Sequence, residues 1–361
     1  MTSVDAMLIV IVLSLLAYAL LAGADFGGGF WDLAAGRGAQ RRRGPDGPGA
    51  VDRAVDRAAD RGVDRAVDPD GQRALIAASL GPVWEANHVW LIFVIVSVFS
   101  AFPAAFGTIA VALELPLGLA LVGIVLRGAA YVYRAYGDGA ALPDRWWGRI
   151  FAGASILTPF MLGVSGAALA TGGLGPRSGP LEPFRSALTL TAGVLAVAAT
   201  AFLAAVYLCH NAAQSPETAH LVRVFRRKAM GAGAAAGAVA LAMLPFLYRD
   251  APIVAARFTG RSLPFAALSA LCGIGSLLVL RREQYVLARF TAGLAVAGVL
   301  GGWAAAQYPD LMTGAYTAAQ AAAAPQSMDA MLVAMSVGMT VVLPSFYLLL
   351  KVFSRPAVAE H

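Results

Sequence analysis

Three carboxylic acids stand where water should be scarce, and each is a candidate for moving protons. Asp25 closes the apolar run that opens the chain, in GADFGGGFWDL, and Glu85 opens the next run, in GPVWEANHVWLI. Glu114 lies inside a third, in VALELPLG. An acid in a low-dielectric setting keeps its proton unless a cation or a water chain serves it. Within a membrane segment so costly a group marks function by default. For Asp25 and Glu85 the competing role is helix capping and interfacial solvation. For Glu114 it is a hydrogen bond joining two helices. Asn87 and His88 follow Glu85 closely enough to order water or hydrogen bonds beside it.

Other chemistries find little support. The histidines are His88, His210, His220 and His361. Heme ligation by two imidazoles requires rings facing each other at one depth. His88 and His210 fall near the same membrane side, but a hydrogen-bonded interfacial His88 is the simpler reading. Cys209 and Cys272 supply neither a disulfide framework nor metal-ligand spacing. The Gly27–Gly29 run lacks the strand–turn–helix setting of a phosphate loop, and a close helix contact or tight bend explains it better. No hydrolase triad and no inverted repeat of the transporter type is evident.

The elements holding these residues are set by composition. Of 361 residues, 59% are apolar and only 13% charged, with a mean hydropathy of +0.69. Soluble domains carry roughly a quarter charged residues, so a bilayer is the natural solvent. Crossing its core takes roughly 20 mainly apolar residues. That ruler gives nine spans, Ala6–Ala24, Trp84–Phe102, Thr108–Val132, Ile150–Ala170, Ser186–Cys209, Ala229–Leu247, Leu263–Leu280, Val286–Ala306 and Met328–Phe353. Internal prolines such as Pro116, Pro159, Pro245 and Pro344 are tolerated in such helices. The first run has no Lys or Arg before it and exceeds a signal-peptide core, so it reads as a retained span. The whole chain, 1–361, is then a single transmembrane domain.

Nine spans place the termini on opposite sides, and charge orients them. Of the 27 Lys and Arg residues, only Arg177, Arg185, Arg249, Arg257 and Arg261 fall on the side holding the N-terminus. Cationic loops stay in the cytoplasm, so the N-terminus is expected outside and the C-terminus inside. The net charge of +6 reads as this topology signal rather than as nucleic-acid affinity. Asp25 and Glu85 then share the cytoplasmic end of adjacent helices. The loop at 37–73 contains VDRAVDRAADRGVDRAVD, an Asp/Arg repeat between Gly/Pro-rich flanks, and is expected to be a mobile surface insertion. Trp31, Trp84, Trp90, Trp146 and Trp147 lie near span ends, where aromatic belts form.

The stretch from Gly81 to Ile92, Gly-Pro-Val-Trp-Glu-Ala-Asn-His-Val-Trp-Leu-Ile, resembles the start of the second helix in subunit II of the cytochrome bd quinol oxidases. LRGAAYVYR at Leu126–Arg134 is similar to that family's Arg-Gly…Arg ending of the third helix. Tyr207–Met230 with its FRRKAM, and the Leu-Pro…Tyr…Phe close of the last helix, extend the likeness over nearly the whole chain. Ala22 stands where many members carry a further acid, Glu85 where others have Asp, and Ala86 and His88 replace the usual Gly and Gln or Glu.

The resemblance implies an all-α polytopic membrane protein of two four-helix bundles plus one peripheral helix, in the bacterial cytoplasmic membrane. It implies a heme-free accessory chain, itself without catalytic, cofactor-binding or metal residues. Its partner, subunit I, would bind hemes b and d, oxidise quinol and reduce oxygen to water. Asp25, Glu85, Glu114, Asn87 and His88 are then proton-pathway candidates. Trp84, Trp90, Arg127 and Arg134 are subunit-interface candidates. A structural quinone and a small accessory subunit are compatible with such a complex. The contrasting reading is a stand-alone secondary transporter coupled through Glu85 and Glu114, and a third is a membrane scaffold without an oxidase partner.

Overall fold

The structure, a computed structural model, describes residues 2–35, 68–80, 84–136 and 144–353. Helix α1 (Ser3–Ala34) starts on a capping box, in which the Thr2 hydroxyl accepts from the Asp5 amide and Asp5 reaches back to Thr2. It runs unbroken through the Gly27–Gly29 triplet. A Cβ on Gly27 would lie 2.0 Å from the Thr200 carbonyl oxygen, and one on Gly29 2.2 Å from Ser155 Oγ. The glycines therefore permit close helix contact, not a bend.

Helices α2 (Pro69–Leu80) and α3 (Trp84–Ala101) follow, then the short α4 (Pro103–Ala112). The chain turns by 120° between α3 and α4. Pro103 disfavours helical geometry at the residue before it, and Phe102 adopts φ −135°, ψ 58°. Phe102 is fully buried among Met7, Ala105 and Met328, which fixes the corner. A second break at Leu113 leads into α5 (Glu114–Tyr136), followed by α6 (Asp144–Ala168), α7 (Ala187–Ala212) and α8 (Val222–Asp250).

A short α9 (Pro252–Phe258) precedes the hairpin of α10 (Leu263–Arg281) and α11 (Tyr285–Gln307). Glu283, in the left-handed region at φ 61°, makes the tight turn between them. A small antiparallel ribbon, β1 (Asp310–Met312) and β2 (Tyr316–Thr317), with α12 (Ala318–Ala321), connects to α13 (Pro325–Phe353). Helices α6, α8 and α13 continue through Pro159, Pro245 and Pro344, as expected.

α1 packs on α3, α6 and α7; α5 pairs with α6; α7 also pairs with α8 and touches α11, which pairs with α10. α13 rests on α1 and α3, where Ser3 donates to Asp329. Leu13, Leu121, Leu241, Leu271 and Val341 are each more than half exposed. A helix surface of that kind suits hydrocarbon rather than water.

Among the described residues, eight helices are long and apolar enough to cross a membrane. The expected spans at 84–102 and 108–132 are reshaped by the corner. The first becomes α3, bent into α4, and Thr108–Ala112 belongs to α4, leaving α5 to begin at Glu114. Hydropathy measures length and not direction, so it cannot see a turn inside apolar sequence. The Asp/Arg repeat up to residue 67 lies outside the described residues. Pro69–Arg73, expected in the mobile loop, instead forms the first turn of α2.

Candidate functional site

The parallel helices α1 and α5 bring two acids of one to two arginines of the other. Arg127 grips Asp25 with both arms of its guanidinium, Nη1 to Oδ2 at 2.6 Å and Nη2 to Oδ1 at 2.7 Å. Nη2 also donates to the Asp25 carbonyl oxygen at 3.0 Å, and Nε to Ser155 Oγ at 2.9 Å. Ser155 Oγ in turn donates a hydrogen bond to the Phe151 carbonyl oxygen at 2.7 Å. The rings of Phe26 and Phe151 cover the guanidinium at 4.9 and 4.7 Å. Asp25 and Arg127 are 3% and 2% exposed. The result is a dry, two-point ion pair, the strongest form such a contact takes.

Asn87, on α3, is 1% exposed and donates through Nδ2 to Asp25 Oδ2 at 3.4 Å. Its own Oδ1 finds no hydrogen-bond donor among the described residues. Sequence reading placed Asp25 and Asn87 in one neighbourhood, and the structure joins them. The side chains of Trp84 and Glu85 lie outside the described residues, although both residues begin α3. His88 is half-buried on the same helix.

Seven residues further along both helices a second pair repeats the first, Arg134 Nη1 to Asp32 Oδ2 at 3.2 Å. Seven residues are two helical turns, roughly 10 Å, so the pairs form a ladder. Phe151 lies between the rungs, its ring 5.3 Å from Arg134 as well. The outer rung is looser and wetter, with the Arg134 side chain 31% exposed. Asp32 is shared there with Arg73 of α2, whose Nε sits 3.7 Å away.

α2 lies across this end of the molecule on a set of polar ties. Asp68 caps it by accepting from the Gly71 amide at 2.8 Å and faces His220 at 3.2 Å. That amide bond first, and His220 after it, hold the Asp68 carboxyl below its usual range. Gln72 accepts from Lys228 at 2.7 Å, and Asn211 donates to Ser79 at 3.0 Å. Lys228 is itself flanked by the rings of Trp31 and Phe225, while Trp31 Nε1 donates to the Ala201 carbonyl at 2.7 Å.

Several expectations change. Arg127, expected on a subunit interface, points inward, and Asp25 and Ser155 take its donors. Arg134 pairs with Asp32 but stays exposed, so its surface is still open to a partner. Trp90 is buried against Tyr18, Ala22 and Phe26 rather than presented outward. Glu114 is not inside a span. It is the exposed first residue of α5, at the end opposite Asp25. His210 is buried and meets Gln214 at 3.0 Å. No group of three His, Cys, Asp or Glu with metal-binding proximity occurs among the described residues. Asp32, Ser155, Phe151 and Arg73 were missed. The signal available was the equal spacing of Asp25/Asp32 and Arg127/Arg134, one heptad each.

The sequence profile described as cytochrome bd terminal oxidase subunit II matches residues 4–353. The chain belongs to this family. Cytochrome bd ubiquinol oxidase subunit 2 of Bacillus subtilis (strain 168) is 32% identical over 93 residues, covering 26% of this chain and 27% of that protein. The match thus spans about a quarter of that curated relative. A chain of the bd oxidase from Geobacillus thermodenitrificans superposes with a TM-score of 0.72 at 21% identity, over 98% of this chain and 99% of that one. That likeness establishes a shared fold over nearly the full length of this subunit II family member.

Proposed function

We propose that this chain is the heme-free accessory subunit II of a cytochrome bd-type terminal oxidase. It would stand beside a subunit I that carries hemes b and d, oxidises quinol and reduces oxygen to water. The observation that carries this reading is the family match from residue 4 to 353 together with the full-length fold likeness. In this reading the bent α3–α4 pair supplies a ninth span, with α1, α3, α5 and α6 as one bundle, α7, α8, α10 and α11 as the other, and α13 peripheral. The arginine-rich end faces the cytoplasm, and the complex sits in the bacterial inner membrane. Subunit I covers the exposed apolar helix faces that lipid does not.

Oxygen reduction consumes protons, and the ladder end of this chain is where they would enter. Asp25, gripped by two short bonds from Arg127, holds Asn87 in place beside the entry. The open Asn87 Oδ1 can receive a bond from water. Glu85 on the same helix is the group that loads and releases the proton, with His88 beside it. The transporter reading loses one of its two acids, since Glu114 sits exposed at the other end of the molecule.

The test uses the complex purified through this chain. Glu85→Gln should slow oxygen consumption about 100-fold, the lower end of the range for removing a proton-transfer group, while heme absorption stays normal. Asp25→Asn strands the buried Arg127 charge, so its added slowing counts only where Tm and heme absorption stay normal. Full turnover in the Glu85→Gln/Asp25→Asn double variant would eliminate the intake, and purification without any heme-bearing partner would eliminate the accessory role.

A further inference from the structure

The ladder accounts for the arginines of α5, but not for those where α8 meets the α10–α11 hairpin. Arg226 forms an ion pair with Glu283 of that turn, which pins the start of α8 beside it. Around this tie stand Arg223 and Arg227 on α8 and Arg281 and Arg282 at the end of α10, all exposed. None of these four has an ion-pair partner among the described residues. Arg289, farther along α11, lies over the rings of Tyr207 and Phe290 at 5.3 and 5.8 Å, with no carboxylate either. Ionised groups at a protein surface are cheap to leave in water. Here, however, the cluster sits directly above a hydrocarbon-type surface. Leu278, Val286, Leu287 and Phe290 are 48–60% exposed immediately below it, and Ile274 and Leu271 continue the stripe along α10.

We infer that this corner is a binding site for an anionic phospholipid. Its phosphate would lie among Arg281, Arg282 and Arg289, and its acyl chains along the α10–α11 face. The placement of charge over apolar surface is what an amphiphile requires. A free anion would have no use for the stripe, and a zwitterionic lipid would leave the arginines unopposed. The Asp/Arg repeat of this chain is a poor alternative occupant, because its alternating charges nearly cancel. Arginine's planar fork suits phosphate oxygens, and the ring-stacked Arg289 is already held in place for one.

The experiment is made on the full chain with whatever partner co-purifies, extracted in mild detergent and delipidated. Phosphatidylglycerol, phosphatidylcholine and inorganic phosphate are added back separately. Native mass spectrometry reads retained lipid, and thermal unfolding reads its effect. Phosphatidylglycerol should be retained and raise Tm, while phosphatidylcholine and phosphate should do neither. Each arginine lost should weaken retention about five-fold, the weight of one basic residue near an anionic surface. Arg281→Gln/Arg282→Gln should therefore lose most of it, and Arg281→Lys/Arg282→Lys, which keeps the charge but not the fork, should recover part of it. Equal retention of phosphatidylcholine, or undiminished phosphatidylglycerol in the Gln variant, overturns the site. A Tm rise produced by phosphate alone reassigns it to a free anion and overturns the lipid.

Discussion

The two rungs of the α1–α5 ladder use the same residue types at the same sequence separation, yet they are physically different contacts. Asp25–Arg127 is dry, two-pointed and covered by rings. Asp32–Arg134 is single-pointed, half-wet and shared with Arg73. In water-poor surroundings neither partner of the inner rung can be removed alone, because the survivor would be a bare buried charge. At the outer rung water and Arg73 take over whatever is lost. Identical chemistry is thus structural at one depth and dispensable two turns away. Depth sets the difference.

The largest expected effect follows from breaking the inner rung. Arg127→Ala should destabilise the chain by about 3–5 kcal/mol, the usual cost of leaving one buried charge unpaired. It should be read as loss of protein from membranes and a lowered Tm. Asp25→Leu/Arg127→Leu should recover much of that loss, because no ion then remains. A single Arg127→Ala variant of normal stability would place the pair in a wetter setting than its geometry indicates.

Next comes the packing that keeps the inner rung dry. Gly29→Ala would put a methyl carbon 2.2 Å from Ser155 Oγ, the atom that receives Arg127 Nε. Overpacking of this kind costs about 1–3 kcal/mol, so Tm should fall although no charge has changed. Ser155→Gly in the same chain should relieve part of the clash, and failure to do so would separate the glycine from the ion pair.

A smaller effect concerns α2, which braces the outer rung through Arg73. Removing its cap with Asp68→Ala should cost at most about 1 kcal/mol. It should appear as faster hydrogen exchange in Pro69–Leu80 with little change elsewhere. The folded Asp68 carboxyl lies below its ordinary value of 3.8 because the Gly71 amide bonds its charged form. A depressed acid stabilises the fold above its unfolded value and ceases to do so as pH falls through the folded one. Wild-type α2 should therefore exchange normally at pH 7 and loosen only below about pH 4. Unchanged exchange below that pH would show that the Asp68 charge does not hold this end of α2.

Much of this was readable before any coordinates. Apolar runs located the helices, and GADFG and WEANH named the two segments whose Asp25 and Asn87 meet. What hydropathy could not show was direction. The apolar sequence continues through Phe102 and Leu113, so the corner at Pro103 was invisible and Glu114 looked interior. Arg127 was misplaced for a related reason. An arginine ending an apolar run has the signature of a topology signal whether it faces headgroups or an acid on the next helix. Trp90 carried the signature of a belt residue, yet the small Ala22 leaves room for it beside Phe26. Only the matched heptads of acid and base distinguished these cases, and they become informative once the long side chains of α5 are known to reach α1 across the bundle.

The smallest effect is the most discriminating, because it asks whether residue type or depth governs the ladder. Arg134→Gln removes a rung that on sequence alone is equivalent to Arg127. Its guanidinium is partly hydrated, makes one bond to Asp32 at 3.2 Å, and leaves Arg73 behind as a second cation. Contacts of this exposure contribute about 0–1 kcal/mol, so Tm should move by no more than a degree or two. That shift should shrink further at high salt, which screens exposed pairs but not buried ones. Arg73→Gln alone should be equally mild. The two together should cost more than their sum, since only then does Asp32 lose both cations. An Arg134→Gln loss as large as that of Arg127→Ala would mean that the outer rung is sealed from water, by α2 or by a partner lying over it, and that depth along α1 is not what separates the two.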